Sequence, residues 1–515
     1  MSYIEQLIAP TNTSQKNEQP AFSVFLENFK AKMNNVFHVR GDLDQQSMKR
    51  GMPPFMLREI LSADPMSICI PKEYGGRGES IGENLAMLAA ASYESLALSL
   101  TLGINSGLFI QPLEKYGYDD VKASVFKRIL NDKNMGGLMI TEPGHGSDAL
   151  NMQTSYTLAD GEFHIQGKKH WAGLTGWAEF WLLTARKRTS SGQLQRDIDF
   201  FLCDVNTEGQ EIVVEEFFDN LGLYMIPYGR NRIDVKVPAN YQLRPHTTGV
   251  KMMLDLLHRS RMQFPGMAMG FIKRMLDEGI AHSKQRLIGV NSLFSYDQVQ
   301  SRLSKLQASY TVCSAMCANS SEKAGVENDL APHGLEANAV KSVVTDLMQE
   351  AAQSVVQLVG AKAYRLSHIA GRGIADSRPF QIFEGSNDIL YAQITEAAVK
   401  LMKRAKETNL FQFLKGNNLT NRAADGIKDL VNFNLNLQLP QRKLVEMGKV
   451  IGRVISMNQV LVLAENGFRE DLIQGGLAML EEEIAGLIAG FSMSSKTIAI
   501  ESYEENSSWF NFVKR

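Results

Sequence analysis

Within Asp376-Ser-Arg-Pro-Phe-Gln-Ile-Phe-Glu-Gly-Ser-Asn-Asp-Ile-Leu390, Glu384 is a lone acid between the apolar Ile382-Phe383 and a Gly-Ser turn. A carboxylate in such surroundings is shielded from water, and desolvation raises its pKa toward the range of a general base. The competing reading is a surface glutamate at a helix start, because Ser386 and Asp388 also resemble N-terminal capping residues. A second stretch, Leu138-Met-Ile-Thr-Glu-Pro-Gly-His-Gly-Ser-Asp148, carries Pro-Gly and Gly-Ser turns. Backbone N–H groups exposed by such turns bind carbonyl or anionic oxygens, although an ordinary Gly-rich connector has the same composition. In Gly167-Lys-Lys-His-Trp-Ala-Gly173 the Trp171 indole is placed either to cover a flat ring or to fill a core.

The elements that must position these residues change character along the chain. Residues 1–20 are polar and punctuated by prolines, which predicts a loose arm. Helical apolar spacing over 21–133 gives a first helical domain, broken by a turn at Pro71 and the glycines that follow. Over 134–246, short β-branched and aromatic runs separated by polar turns predict a small antiparallel sheet domain. The helical period returns over 247–404, and 405–515 adds a further helical block. The expected class is α+β: an N-terminal helical domain, a central antiparallel β domain, a C-terminal helical bundle and an extra helical block. Strands recur without helices between them, so a doubly wound nucleotide fold is not indicated, and no Walker-type cradle is present.

Composition narrows the partners. With 44% hydrophobic and 21% charged residues and a formal charge of -2, the chain lacks the basic surface that nucleic acid selects. Cys69, Cys203, Cys313 and Cys317 match neither a disulfide framework nor a paired zinc pattern, so they read as reduced thiols in a cytoplasmic setting. The N-terminus lacks a secretory pattern, and no apolar run of spanning length is evident. The Met-rich segment Met262 to Met275 and the apolar run Ile484 to Phe491 are expected to be helix core.

The order of these domains, with Ile70-Pro-Lys-Glu-Tyr-Gly-Gly76, Thr141-Glu-Pro-Gly-His-Gly-Ser-Asp148, Gly167-Lys-Lys-His-Trp171 and Phe383-Glu-Gly-Ser386, resembles the acyl-CoA dehydrogenase flavoprotein family over residues 50–404. The resemblance implies FAD as cofactor, an acyl-CoA substrate, an electron-transfer flavoprotein or other electron acceptor, and a homodimer or homotetramer. It implies Glu384 as the base that takes the α-proton, with hydride passing from the β-carbon to flavin N5. By the same resemblance Leu138, Ile140 and Thr141 line the flavin, Ser147 lies between its pyrophosphate and the substrate thioester arm, and Trp171 packs on the ring. Arg286, Gln357 and Gly360 reach FAD across a subunit interface, and Arg261 lies near the acyl-CoA entrance. Gly385, Ser386 and Asp388 complete the contacts beside the base, Gly385 toward substrate.

Departures from the family pattern stand beside these matches. Ala172-Gly173 replaces the usual Ile-Thr, leaving Gly173 only its backbone for the flavin unless Thr175 substitutes, and Ala361 replaces the second glycine after Gln357. Longer relatives carry an added helical domain, so a long acyl chain or membrane-surface contact is a further expectation for 405–515. A carrier-protein thioester, a flavin oxidase or monooxygenase, and a non-catalytic acyl-CoA or flavin-binding protein are the alternatives.

Overall fold

The computed structural model describes residues 20–493 and 498–513. The expected arm over 1–20 therefore lies almost wholly outside the described residues. Helices occupy the first stretch, and the Ile81–Glu94 helix starts where the Ser80 hydroxyl accepts the Glu83 N–H, a side-chain cap that satisfies an otherwise free donor. A sheet follows, built from β1 (Gly136–Met139), β2 (Ser155–Ala159), β3 (Glu162–Gly173), β4 (Phe180–Lys187), β5 (Asp199–Asp204), β6 (Ile212–Phe217) and β7 (Tyr228–Pro238). Its order is β1-β4-β2-β3-β7-β6, with β5 on β4. The sheet is mixed and not purely antiparallel, because β4 runs parallel to both β1 and β2. Period-2 patterning reports which face a residue takes and says nothing of strand direction, which is why the sequence did not reveal this.

The Gly249–Arg261 and Phe264–Gln285 helices form a nearly continuous rod, interrupted at Met262–Gln263 just before Pro265. A proline can begin a helical segment but cannot donate within one, so the interruption falls there. The Asp297–Lys323 and Gly334–Val359 helices pack with this rod, and the Asn387–Ala405 helix packs on Gly334–Val359. Beyond them, the Gln441–Glu465 helix lies against all three, and the Glu470–Met493 helix lies against Asp297–Lys323. One connected core runs from Phe25 to Ile484, so the C-terminal helices share it and are not a satellite.

Met262, Met267 and Met275 are buried in that core, as the helical pattern predicts. Cys313 is buried beside Cys317, and no group of three potential metal ligands occurs among the described residues. Two helical stretches, Leu96–Tyr116 and Gln441–Glu465, do have the length and apolarity of a membrane span, contrary to the expectation of none. Both are mostly buried inside the protein, which accounts for their apolar character as core helices.

Candidate functional site

Glu384 lies on the turn between the short Arg378–Gln381 helix and the Asn387–Ala405 helix. Its φ is 54° and that of Gly385 is 95°. Two successive left-handed residues make a sharp corner, and holding a glutamate there costs on the order of 1 kcal/mol. The surroundings supply the restraint. Arg261 donates through Nε (3.1 Å) and Nη2 (2.7 Å) to the Glu384 carbonyl, and through Nη1 to Asn338 Oδ1 (2.7 Å). Lys341 Nζ donates to the Gly385 carbonyl at 2.8 Å.

The carboxylate itself is asymmetric. Ser260 Oγ donates to Oε1 at 2.9 Å, whereas Oε2 is buried with no hydrogen-bond partner among the described residues. Phe264, Phe380 and Phe383 cluster beside the turn with ring centroids 4.9–5.9 Å apart. Burial pushes the Glu384 carboxyl above its ordinary range, while Arg261, the Ser260 hydroxyl and Lys341 pull it partly back. Burial also lowers the Lys341 ammonium to about 7 and the Arg261 guanidinium to about 10, each opposed by the attraction of Glu384. A carboxylate with one oxygen anchored and the other free, in an environment that raises its proton affinity, is suited to accept a proton.

The sheet carries a second cluster. The Thr141 carbonyl accepts the His170 N–H at 2.8 Å, joining the glycine-rich loop to β3. Beneath the loop, Glu142 and Lys169 form a buried ion pair at 2.9 Å. Glu142 also accepts the backbone N–H groups of Gln153 (2.5 Å) and Thr154 (3.0 Å). Lys169 donates to the Ile140 carbonyl (3.1 Å) and to Thr184 Oγ1 (3.0 Å). Leu138 and Ile140 are half-buried, Ser147 is exposed, and a Cβ on Gly144 or Gly146 would meet nothing within 4 Å. Trp171 is 51% exposed with φ 59°, at a β-bulge between His170 and Ala172, and its indole lies 4.5 Å from the Phe218 ring. It is therefore not the buried core tryptophan that the sequence also allowed.

A side chain at Gly173 would crowd two neighbouring side chains. A Cβ there would come within 2.8 Å of Ile104 Cδ1 and 3.4 Å of Tyr228 Cε1. Thr175 does not substitute for a hydroxyl at this position: it is buried, donates to the Ala172 carbonyl at 2.7 Å and accepts from Asn231 Nδ2 at 3.1 Å. Its hydroxyl is already committed within the sheet domain.

The remaining candidates fall in two places. Ser386 and Asp388 adjoin Glu384; Ser386 holds the cap position of the Asn387–Ala405 helix but its side chain makes no capping hydrogen bond, and Asp388 is exposed in the first turn. Arg286, Gln357 and Gly360 lie elsewhere, exposed. Gln357 is sixteen residues beyond Lys341 on the Gly334–Val359 helix, which at the helical rise is about 24 Å from Lys341. Arg286 follows the Phe264–Gln285 helix.

Sequence reasoning did not single out Ser260, Asn338, Lys341, Glu142 or Lys169. Lys341 did leave a signal, as the lone charge in the apolar run Ala337-Asn-Ala-Val-Lys-Ser-Val-Val344. Ser260 left none, because a serine beside two arginines resembles an ordinary helix surface.

With this geometry in hand, three family models match in chain order. They are the acyl-CoA dehydrogenase N-terminal domain over residues 36–133, the middle domain over 137–235 and the C-terminal domain over 247–399. The short-chain specific acyl-CoA dehydrogenase of Megasphaera elsdenii is 25% identical over 345 residues, covering 65% of this chain and 87% of that protein. The mitochondrial very long-chain specific acyl-CoA dehydrogenase of Rattus norvegicus is 23% identical over 353 residues, covering 67% of this chain and 53% of that one. The crystal structure of an acyl-CoA dehydrogenase complexed with FAD from Bacillus anthracis superposes with a TM-score of 0.75 at 16% identity, over 93% of this chain and 88% of the other. That likeness extends the shared fold into the C-terminal helices. Three matched domains in order, spanning most of the chain and containing both the Glu384 turn and the Trp171 loop, establish that this protein belongs to the acyl-CoA dehydrogenase family.

Proposed function

We propose that the protein is an FAD-dependent dehydrogenase of acyl-CoA thioesters in which Glu384 removes the α-proton. The observation that carries this reading is Glu384 itself, with Oε1 held by Ser260 and Oε2 buried and unpaired, on a left-handed backbone residue fixed by Arg261. A surface acid at a helix start would have neither the burial nor this restraint.

The chemistry of the donor set fits FAD. The glycine-rich loop is open at Gly144 and Gly146, and the indole of Trp171 is exposed. Leu138, Ile140, Thr141, Ser147, Trp171 and the Gly173 backbone would hold it on the sheet side, with Gly385, Ser386 and Asp388 beside the base. When bound, FAD supplies the acceptor for the hydride that leaves the β-carbon.

The protein's own contribution is acid–base and positional. Desolvation makes the Glu384 carboxylate a stronger base, and the turn presents its free oxygen without reorganisation. The Arg261 guanidinium, locked to the Glu384 carbonyl, keeps the corner from relaxing and leaves the backbone N–H of that residue available to an oxygen on which charge develops. Gln357 and Gly360 lie at the end of the Gly334–Val359 helix away from Lys341, and Arg286 follows the Phe264–Gln285 helix, so we assign these three to the cofactor of a second copy, in a homodimer or homotetramer. Electrons then pass to an electron-transfer flavoprotein or a comparable acceptor. Membrane-surface contact by the C-terminal residues and a cytoplasmic location complete the proposal.

The test is to purify the protein, record its visible spectrum and add acyl-CoAs of rising chain length without oxygen. Bleaching of a bound flavin by one of them is the expected result. A protein that cannot be loaded with FAD, or whose flavin stays oxidised with every acyl-CoA, overturns the reading.

A further inference from the structure

A continuous line of polar contacts runs from the Glu384 turn into the C-terminal helices. Lys341 Nζ, on the Gly385 carbonyl, also donates to Asn387 Oδ1 at 2.9 Å. Asn387 Nδ2 donates to Asp346 Oδ1 at 2.7 Å, and Gln381 Nε2 donates to that same oxygen at 2.7 Å. Gln381 and Asn387 bracket Glu384, so one carboxylate oxygen ties both ends of the turn. The other oxygen, Asp346 Oδ2, accepts the Tyr391 hydroxyl at 2.7 Å, and the Tyr391 oxygen accepts from Arg453 Nη1 at 2.6 Å. Arg453 belongs to the Gln441–Glu465 helix, and its Nε donates to Glu483 Oε2 of the last helix at 3.2 Å. Lys305 Nζ meets the remaining Glu483 oxygen at 3.3 Å.

The middle of the line is buried, while Asp346 and Glu483 are partly buried and Lys305 is exposed. Lys341 and Tyr391 are fully buried, and Arg453 and Asn387 nearly so. The Gln441–Glu465 helix approaches because Gly448 and Gly452 face its neighbour; a Cβ on Gly448 would lie 2.0 Å from the Tyr391 carbonyl oxygen. Apolar side chains would join these helices at lower desolvation cost, since buried charges gain little net stability from pairing. What a satisfied polar line adds is direction, because each acceptor fixes the donor that precedes it.

We infer that the C-terminal helices set the geometry of the catalytic turn, with Arg453 and Tyr391 as positioning residues that act on Glu384 through Asp346. The inference rests on Glu384 being the base of the reaction proposed above. It gives residues 441–493 a role in the chemistry besides any role at a surface.

The experiment uses the full-length, FAD-loaded protein and compares it with Tyr391→Phe, Arg453→Met and Arg453→Lys. Hydrogen exchange of the backbone over residues 381–390 is read by mass spectrometry, and the limiting rate of flavin reduction is read against acyl-CoA concentration. Tyr391→Phe removes one hydroxyl and is expected to speed exchange of the turn and to slow limiting reduction, each roughly tenfold, with half-saturation and thermal midpoint little changed. Arg453→Met is expected to do more, and Arg453→Lys to recover part of the loss. Unchanged exchange over 381–390 in Tyr391→Phe overturns the inference, as does a change in half-saturation with no change in limiting rate. If Arg453→Met does not fold, Tyr391→Phe decides alone. If no acyl-CoA reduces the wild-type flavin, the proposed reaction fails while exchange of the turn still decides the positioning claim.

Discussion

The Glu384 turn and the Trp171 bulge place a non-glycine residue at nearly the same left-handed φ, 54° and 59°, yet they are supported in opposite ways. Around Glu384, side chains from two helices converge on the turn: Arg261 donates to the Glu384 carbonyl and Lys341 to the Gly385 carbonyl, with Asn338 behind Arg261. Around Trp171 the support lies underneath, in the Glu142–Lys169 pair, and the indole itself is left on the surface against Phe218. The Glu384 backbone is fixed by Arg261 and Lys341 while one of its carboxylate oxygens is left unpaired. The Trp171 indole is 51% exposed. The same left-handed φ thus occurs in two kinds of packing, one restrained by side chains on the turn's carbonyls and one leaving its side chain on the surface.

The largest effect should come from removing the support beneath the sheet. Lys169→Met leaves the Glu142 carboxylate buried and unpaired, and should cost about 3–5 kcal/mol in denaturant unfolding. A loss below about 1 kcal/mol would mean that the loop is held as redundantly as the turn. Next, Gly173→Thr forces a side chain against Ile104 and Tyr228 and should cost about 1–3 kcal/mol. Ile104→Ala in the same chain should return part of that, which thermal unfolding can read; no cost in the single variant would show that the threonine was omitted for another reason.

Ser260→Ala probes the turn side more gently. The Ser260 hydroxyl favours the ionised Glu384, so its loss raises a pKa that burial has already raised. The base works only when ionised, so activity is lost as pH falls through that pKa, and the half-maximal point of the acid limb should move to higher pH. A pH–rate profile identical to wild type would remove Ser260 from the site. The smallest effect on stability is expected for Trp171→Ala, within about 0.5 kcal/mol because the indole is half exposed, with weaker retention of FAD on gel filtration as the measurable consequence.

Much of this could be read from the chain because the informative features are local. A lone acid before Gly-Ser, a glycine-rich loop and a tryptophan after a strand are visible in a dozen residues, and helical or alternating periods mark the elements that carry them. What stayed hidden is what distance in the chain conceals. Ser260 reaches Glu384 across 124 positions, and Tyr391 reaches Arg453 across 62. The parallel pairing of β4 was hidden for the same reason, since register with β1 and β2 depends on which strand arrives beside which. Gly173 was legible as a departure but not as a consequence, because Ile104 comes from a different domain of the sequence.

The central claim is that Glu384 takes the proton while the rest of the turn only holds it there. Glu384→Gln keeps the size and hydrogen-bonding capacity of the side chain but removes its basicity. Measured without oxygen with an acyl-CoA that bleaches the wild type, the variant should bind FAD with its colour intact and be reduced at least about 10³-fold more slowly. Reduction of Glu384→Gln at a rate close to wild type would contradict the account.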